Sequence, residues 1–266
     1  MIITALAHLA PIAYAAAAAV YLAWLVRPRA GLPAIGRAFL CAGLGLHVVS
    51  LALEPQGGQL FSMISAALVA GFVALDLRYR LPVAGAFVAP LTLAIMLPAH
   101  LSGAAGYRLG HELTQSAVLA LHVGASALGT CALALAFTLA LVYLAGEAQL
   151  KRKQPARLFA RLPSLQLIDR VCWLLVAWGF AFLSVSLATG PFASEAKGAF
   201  FAFAPKQAFA LGAWTLLAVL VQARLVAGWR GRRVAVLVLA GCVLLAGAYG
   251  GMLWSTNAAR AALGRI

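Results

Sequence analysis

Acidic side chains are nearly missing from this chain. Only six Asp or Glu stand among 266 residues, against 20 Lys or Arg, and charged residues of both signs make up 10%. A water-soluble domain of this length needs far more charge to cover its surface, so a soluble globule is excluded. Long polar linkers are absent too: 64% of the chain is hydrophobic and its mean hydropathy is +0.98. No strand-like alternation of polar and apolar residues appears, which argues against a transmembrane barrel. The four cysteines, Cys41, Cys131, Cys172 and Cys242, have no CxxC spacing. Neither a thiol redox pair nor a thiolate metal site is expected, and small packing residues are the simpler reading. No Lys or Arg precedes the first apolar run, and its first cations, Arg27 and Arg29, follow it. That is the reverse of a cleaved signal peptide. No nucleophile, acid–base pair or phosphate-cradling loop stands out, so no enzymatic reaction is expected.

What the chain does have is a succession of apolar runs, each long enough to cross about 30 Å of hydrocarbon. Eight spans are expected, at 2–26, 37–53, 59–77, 82–98, 116–145, 171–189, 206–226 and 234–254. In lipid every backbone polar group must be satisfied within its own segment, so the spans are helices. The fold class is therefore all-α: a polytopic membrane protein with about eight transmembrane helices, in one domain over 1–266.

The basic residues set the orientation. Fifteen of the 20, from Arg27 through Arg78, Lys151 and Arg170 to Arg233, fall in one alternating set of loops. The other set holds only Arg108, Lys197, Lys206, Arg260 and Arg265. The richer set faces the cytoplasm and both termini face out. The net charge of +14 then reflects topology and attraction to anionic lipid, with no folded basic surface for nucleic acid. The longest inner loop, 146–170, interleaves arginine with bulky apolar residues and reads as a segment lying on the membrane surface.

Three histidines lie inside these greasy spans. His8 is about six residues into the first helix, His47 precedes Glu54 by seven residues, and His122 is about six residues into the fifth. At 1.5 Å per residue each sits roughly 9 Å below the outer surface. Imidazoles at membrane depth mark functional sites or make interhelical hydrogen bonds. His122 has Ala125, Ser126 and Gly129 on its face, and His47 has Gly43 and Ser50. Small residues there either bring helices close or leave a flat slot for a planar ligand. Zinc wants four ligands, and carboxylates and thiolates are missing at this depth. Haem b needs only one or two imidazoles, an apolar slot and a cation for its propionates. His47 and His122 are the candidate axial pair. His8 is the third imidazole of the layer, with the packing reading stronger. Lys206, Lys197 or Arg108 could meet the propionates.

The chain also resembles the cytochrome c assembly membrane-protein superfamily (CcsA, CcmC and HemX), most closely its HemX/YpjD-like branch. The carrying residues are Leu121-His122-Val123, Ala204-Pro205-Lys206, Trp214, the Gly228-Trp229-Arg230-Gly231-Arg232-Arg233 turn and Ala248-Tyr249-Gly250-Gly251. Earlier, Leu60-Phe61-Ser62, Leu81-Pro82 and Ala89-Pro90-Leu91 add to it. The resemblance implies haem handling on the outer face of the bacterial cytoplasmic (inner) membrane. It matches His122 to the histidine before the family's outer tryptophan-rich loop, and His47 to a transmembrane axial position. Two departures stand out. Residues 199–206 read Ala-Phe-Phe-Ala-Phe-Ala-Pro-Lys where haem-presenting members carry a tryptophan-rich segment. The last helix offers Tyr249 and Trp254 where they have a second outer histidine.

Two functions follow. One is a haem-binding accessory factor in cytochrome c or haem-protein biogenesis, whose partners are membrane lipid, haem and other cytochrome assembly or membrane proteins. The other is a haem-free scaffold or regulator acting through a partner membrane protein. The topology is directly testable: a periplasm-dependent phosphatase fused within 146–170 stays inactive, and the same reporter fused within 99–115 becomes active. The opposite pattern inverts the orientation.

Overall fold

An apolar run in lipid can satisfy its peptide groups only by turning on itself. All eight expected spans accordingly fold as helices in the computed structural model. The structure describes residues 2–53, 59–101, 116–151, 163–193 and 205–263, with side chains over 9–53, 61–96, 116–151, 163–193 and 206–251. The helices are α1 (Ile2–Val26), α2 (Leu32–Leu53), α3 (Gln59–Tyr79), α4 (Pro82–Leu101), α5 (Ala117–Lys151), α6 (Leu165–Ala193), α7 (Pro205–Val226) and α8 (Arg232–Leu263). Seven are long and apolar enough to cross a membrane. The described apolar part of α4, Pro82–Met96, is shorter, although the helix itself runs 20 residues. The protein is a multi-pass membrane protein.

Several helices outrun their apolar stretches, mostly at the basic end. α2 starts at Leu32 rather than 37, α5 continues to Lys151 rather than 145, and α6 starts at Leu165 rather than 171. Ion pairs lie near these ends. Arg37 Nη1 lies 3.0 Å from Asp76 Oδ2 of α3, and Lys151 Nζ lies 2.7 Å from Glu147, one turn away. At 35 residues α5 is roughly 52 Å long, well beyond the hydrocarbon thickness. At the opposite end α8 continues to Leu263, past the expected 254. There too α6 carries Gly190-Pro191 inside the helix, past the expected end at 189. A proline so near the end deprives only the Leu187 carbonyl of its N–H donor, so the last turn survives.

Short connections are built from special backbone geometry. α3 is followed by Arg80, in the left-handed region at φ 54°, and Pro82 opens α4 two residues later. Gly228 and Gly231, at φ 64° and 69°, turn α7 into α8. Asp169 of α6 clamps that turn: its carboxylate accepts both Arg224 N–H groups, at 3.1 and 2.8 Å, and the Gly231 N–H at 3.0 Å. The Arg224 guanidinium also lies 5.2 Å over the Trp173 ring.

The helices pack in two groups. α1 lies against α2 and α4, and α3 against α4 and α2; α5 pairs with α6, and α7 with α8. α5 also packs on α8 and α3, joining the groups. It is the most enclosed span, with 61% of its apolar window buried. Its Ala, Gly, Thr and Cys side chains let neighbours approach from several directions. Glycines set the closest contacts. Tyr14 of α1 lies so near Gly43 of α2 that a Cβ there would come within 2.7 Å of its ring. Tyr21 sits against Gly36 and Gly85 in the same manner. Cys131 and Cys172 are buried and Cys242 half-buried, as packing residues should be, but Cys41 is exposed on the lipid side of α2.

Gly43 and Gly45 make an internal comparison, because nothing lies within 4 Å of a Cβ placed at Gly45. Gly43→Leu drives its side chain into Tyr14 and lowers stability by about 1–3 kcal/mol. Gly45→Leu leaves the thermal melting temperature of the detergent-solubilised protein unchanged or raises it. Equal melting of the two variants would contradict the α1–α2 packing.

Candidate functional site

The site is assembled at the end of the bundle away from the ion pairs. Ser116 starts α5 as its cap, its Oγ accepting the Leu119 N–H at 3.3 Å. The helical phase set there turns His122 and Ser126, one turn apart, towards α6. His122 Nδ1 lies 2.8 Å from the Ser186 carbonyl oxygen, 3.4 Å from Ser186 Oγ and 3.5 Å from Thr189 Oγ1. Ser126 Oγ donates to the His122 carbonyl and lies 3.0 Å from Ser186 Oγ. Beside this cluster Trp214 of α7 donates its indole N–H to Ser184 Oγ at 2.9 Å and stacks on Phe180. The His122 ring is half-buried, and its Nε2 has no hydrogen-bond partner among the described residues.

Close approach of α5 and α6 makes the cluster. A Cβ on Gly129 would meet Leu183 at 3.2 Å, and one on Gly179 would meet Leu133 at 2.7 Å. Of the two roles open to the small residues around His122, helix contact is therefore the one realised. The neighbouring helix fills the space at Gly129 and Ser126.

His47 belongs to a separate network. It is 1% exposed, with Nδ1 3.1 Å from the Tyr14 hydroxyl and Nε2 2.7 Å from Ser62 Oγ. The imidazole thus ties α1, α2 and α3 together, and both of its nitrogens are engaged. Gly43, one turn before it, is the seat of the Tyr14 ring rather than part of a ligand slot.

The structure does not bring the two histidines together: His47 faces α1 and α3, and His122 faces α6. Between the networks stands Tyr249 of α8. Its ring lies 5.8 Å from Phe61 and its hydroxyl 2.7 Å from Thr130 Oγ1. His8 lies in α1, but its side chain is outside the described residues, as are Arg108, Lys197 and the aromatic segment 199–204. Lys206 is exposed in the first turn of α7, and among the described residues no hydrogen bond or ion pair joins it to His122.

Among the described residues, no three His, Cys, Asp or Glu side chains gather as a metal-binding group. A site of the zinc type therefore finds no support there. A single axial imidazole is another matter. His122 fits it, with one nitrogen anchored on a carbonyl and the other without a hydrogen-bond partner among the described residues. His47 does not fit it in this arrangement, because a ligand would have to displace Ser62 or Tyr14. Sequence reasoning missed Ser184, Ser186 and Thr189. The signal was available as three hydroxyls within six residues of the apolar part of α6.

Comparison with known proteins agrees with the architecture. The model of the family described as Cytochrome C assembly protein matches residues 6–257. The protein named cytochrome c biogenesis protein CcsA from Rippkaea orientalis is 30% identical over 109 residues, 38% of this chain and 32% of that protein. CcsA from Nostoc punctiforme is 34% identical over 86 residues, 32% of this chain and 24% of its own length. CcsA from Trichormus variabilis is 33% identical over the same length, again 24% of its own chain. The chain thus matches about a third or less of the length of these relatives. No solved structure matches it. These matches carry the superfamily rather than the HemX-like branch within it. With the family model spanning nearly all of its helices, this chain belongs to the cytochrome c assembly protein family.

Proposed function

We propose that the protein is a haem-handling accessory factor in cytochrome c biogenesis, with His122 as the imidazole that meets haem iron. Haem is the cargo in this reading, held without covalent attachment as b-type haem. One observation carries the proposal: His122 Nδ1 is anchored at 2.8 Å on a backbone carbonyl while its Nε2 has no partner among the described residues. A ligand carbonyl behind an imidazole fixes the ring and raises its basicity, which suits an axial ligand. Family membership and the CcsA name of its relatives support the pathway. Lys206 stands exposed at the same end, where an anionic propionate could meet it. What haem supplies is an iron centre with an open axial position. What the protein supplies is the oriented imidazole, the apolar helices around it and a cation nearby.

The 15-to-5 split of basic residues supports a reading in which the histidine end lies at the outer face, and the membrane in that reading is a bacterial inner membrane. Haem taken up there would pass to apocytochromes or to partner membrane proteins of the assembly pathway. No reaction is catalysed in this reading: the protein binds and releases. A haem-free scaffold is the second reading, favoured by the His47 network, which accounts for that histidine by helix packing alone.

Complementation of a strain deleted for the gene separates these readings. His47→Phe supports haem-stained c-type cytochromes at the wild-type level when matched for protein abundance, and His122→Ala does not. Full complementation by His122→Ala contradicts the proposed role.

A further inference from the structure

The oxygens around His122 decide which of its nitrogens carries the proton. A carbonyl oxygen has no proton to give, so the 2.8 Å contact between Ser186 O and Nδ1 is attractive only when Nδ1 is the donor. The two hydroxyls within reach cannot replace it. The single proton of Thr189 Oγ1 is taken by the Val185 carbonyl at 2.8 Å, with the Ser186 carbonyl at 3.1 Å as the alternative acceptor. The proton of Ser126 is committed to the His122 carbonyl. Its contact with Ser186 Oγ at 3.0 Å is therefore donated by Ser186, which leaves Ser186 Oγ facing Nδ1 with lone pairs. Every oxygen near Nδ1 presents acceptors, and every nearby hydroxyl proton is spent elsewhere.

We infer that Ser186, Ser126 and Thr189 are positioning residues that lock His122 as its Nδ1–H tautomer, making Nε2 the atom offered to a ligand. The ligand class is an electron-pair acceptor, such as the iron of a metalloporphyrin, rather than a hydrogen-bond acceptor. The tautomer lock stands on the hydrogen-bond pattern alone; its use in haem handling rests on the proposed function. Gly129 and Gly179 maintain it from a distance, because they let Ser186 come within reach of α5.

The test is nitrogen NMR of the full-length protein in nanodiscs at pH 7.5, with histidine labelled by 15N. The His122 signal is assigned by its loss in His122→Gln, or by its survival when the other histidines are replaced. The expected spectrum shows a protonated Nδ1 and a bare Nε2, with the Nδ1–H form favoured at least about tenfold, as a well-made buried hydrogen bond permits. A dominant Nε2–H form, an even mixture or a doubly protonated ring overturns the lock. Gly129→Leu, which pushes α6 away, is expected to abolish the preference; failure of that variant to fold leaves the wild-type spectrum as the deciding measurement. Adding iron protoporphyrin then addresses the haem reading separately. Perturbation at Nε2 with Nδ1–H retained supports both, whereas an Nδ1–H ring that ignores the porphyrin upholds the lock and contradicts haem binding at His122.

Discussion

The close antiparallel contact of α5 and α6 is the constraint on which the site depends. Gly129 admits Leu183 and Gly179 admits Leu133, so the two backbones approach at the depth where hydrocarbon offers no other hydrogen-bond partner. At that distance the Ser186 carbonyl falls within reach of His122. Polar side chains on one helix and a backbone acceptor on the other then satisfy one another, as buried polar groups in lipid must. Moved apart by a methyl group or two, the helices would leave His122 to find another partner or lipid.

The same requirement explains why the two central histidines have different fates. His47 is enclosed by α1 and α3, whose Tyr14 and Ser62 hydroxyls can each give or take a proton, and both ring nitrogens are engaged. His122 lies near the start of α5, where Nδ1 is anchored on α6 and Nε2 has no hydrogen-bond partner among the described residues. A polar group knits a bundle when surrounded on all sides. At the opposite end of the bundle water relaxes the rule, and Asp169 with Arg224 can fasten the α7–α8 turn through a charged fork.

Much of the fold was legible in the sequence. Sustained apolar runs announced eight helices because their length matches a bilayer, and the described residues form helices in those eight places. Ends were harder to read, since α5 and α6 continue beyond the hydrocarbon near ion pairs that hydropathy does not register. Gly190-Pro191 lies past the expected end at 189, yet the helix continues to Ala193, because a proline in a final turn costs only one hydrogen bond. Within the site, His47 is buried and His122 half-buried. Their proposed pairing could not be checked from depth alone, because depth carries no azimuth. Helical phase and the identity of each neighbour separate the two rings. The register of Ser186 against Ser126 depends on which glycine meets which leucine, information spread over two spans that are distant in the chain.

The most direct measurement is the absorption spectrum of the purified, haem-supplemented protein, oxidised and then reduced with dithionite, beside His47→Phe and His122→Ala. A single working imidazole predicts a Soret band and reduced α and β bands that persist in His47→Phe and vanish in His122→Ala. Loss of the bands in both variants alike would restore an axial pair, and a wild-type protein that stays colourless would contradict haem handling altogether.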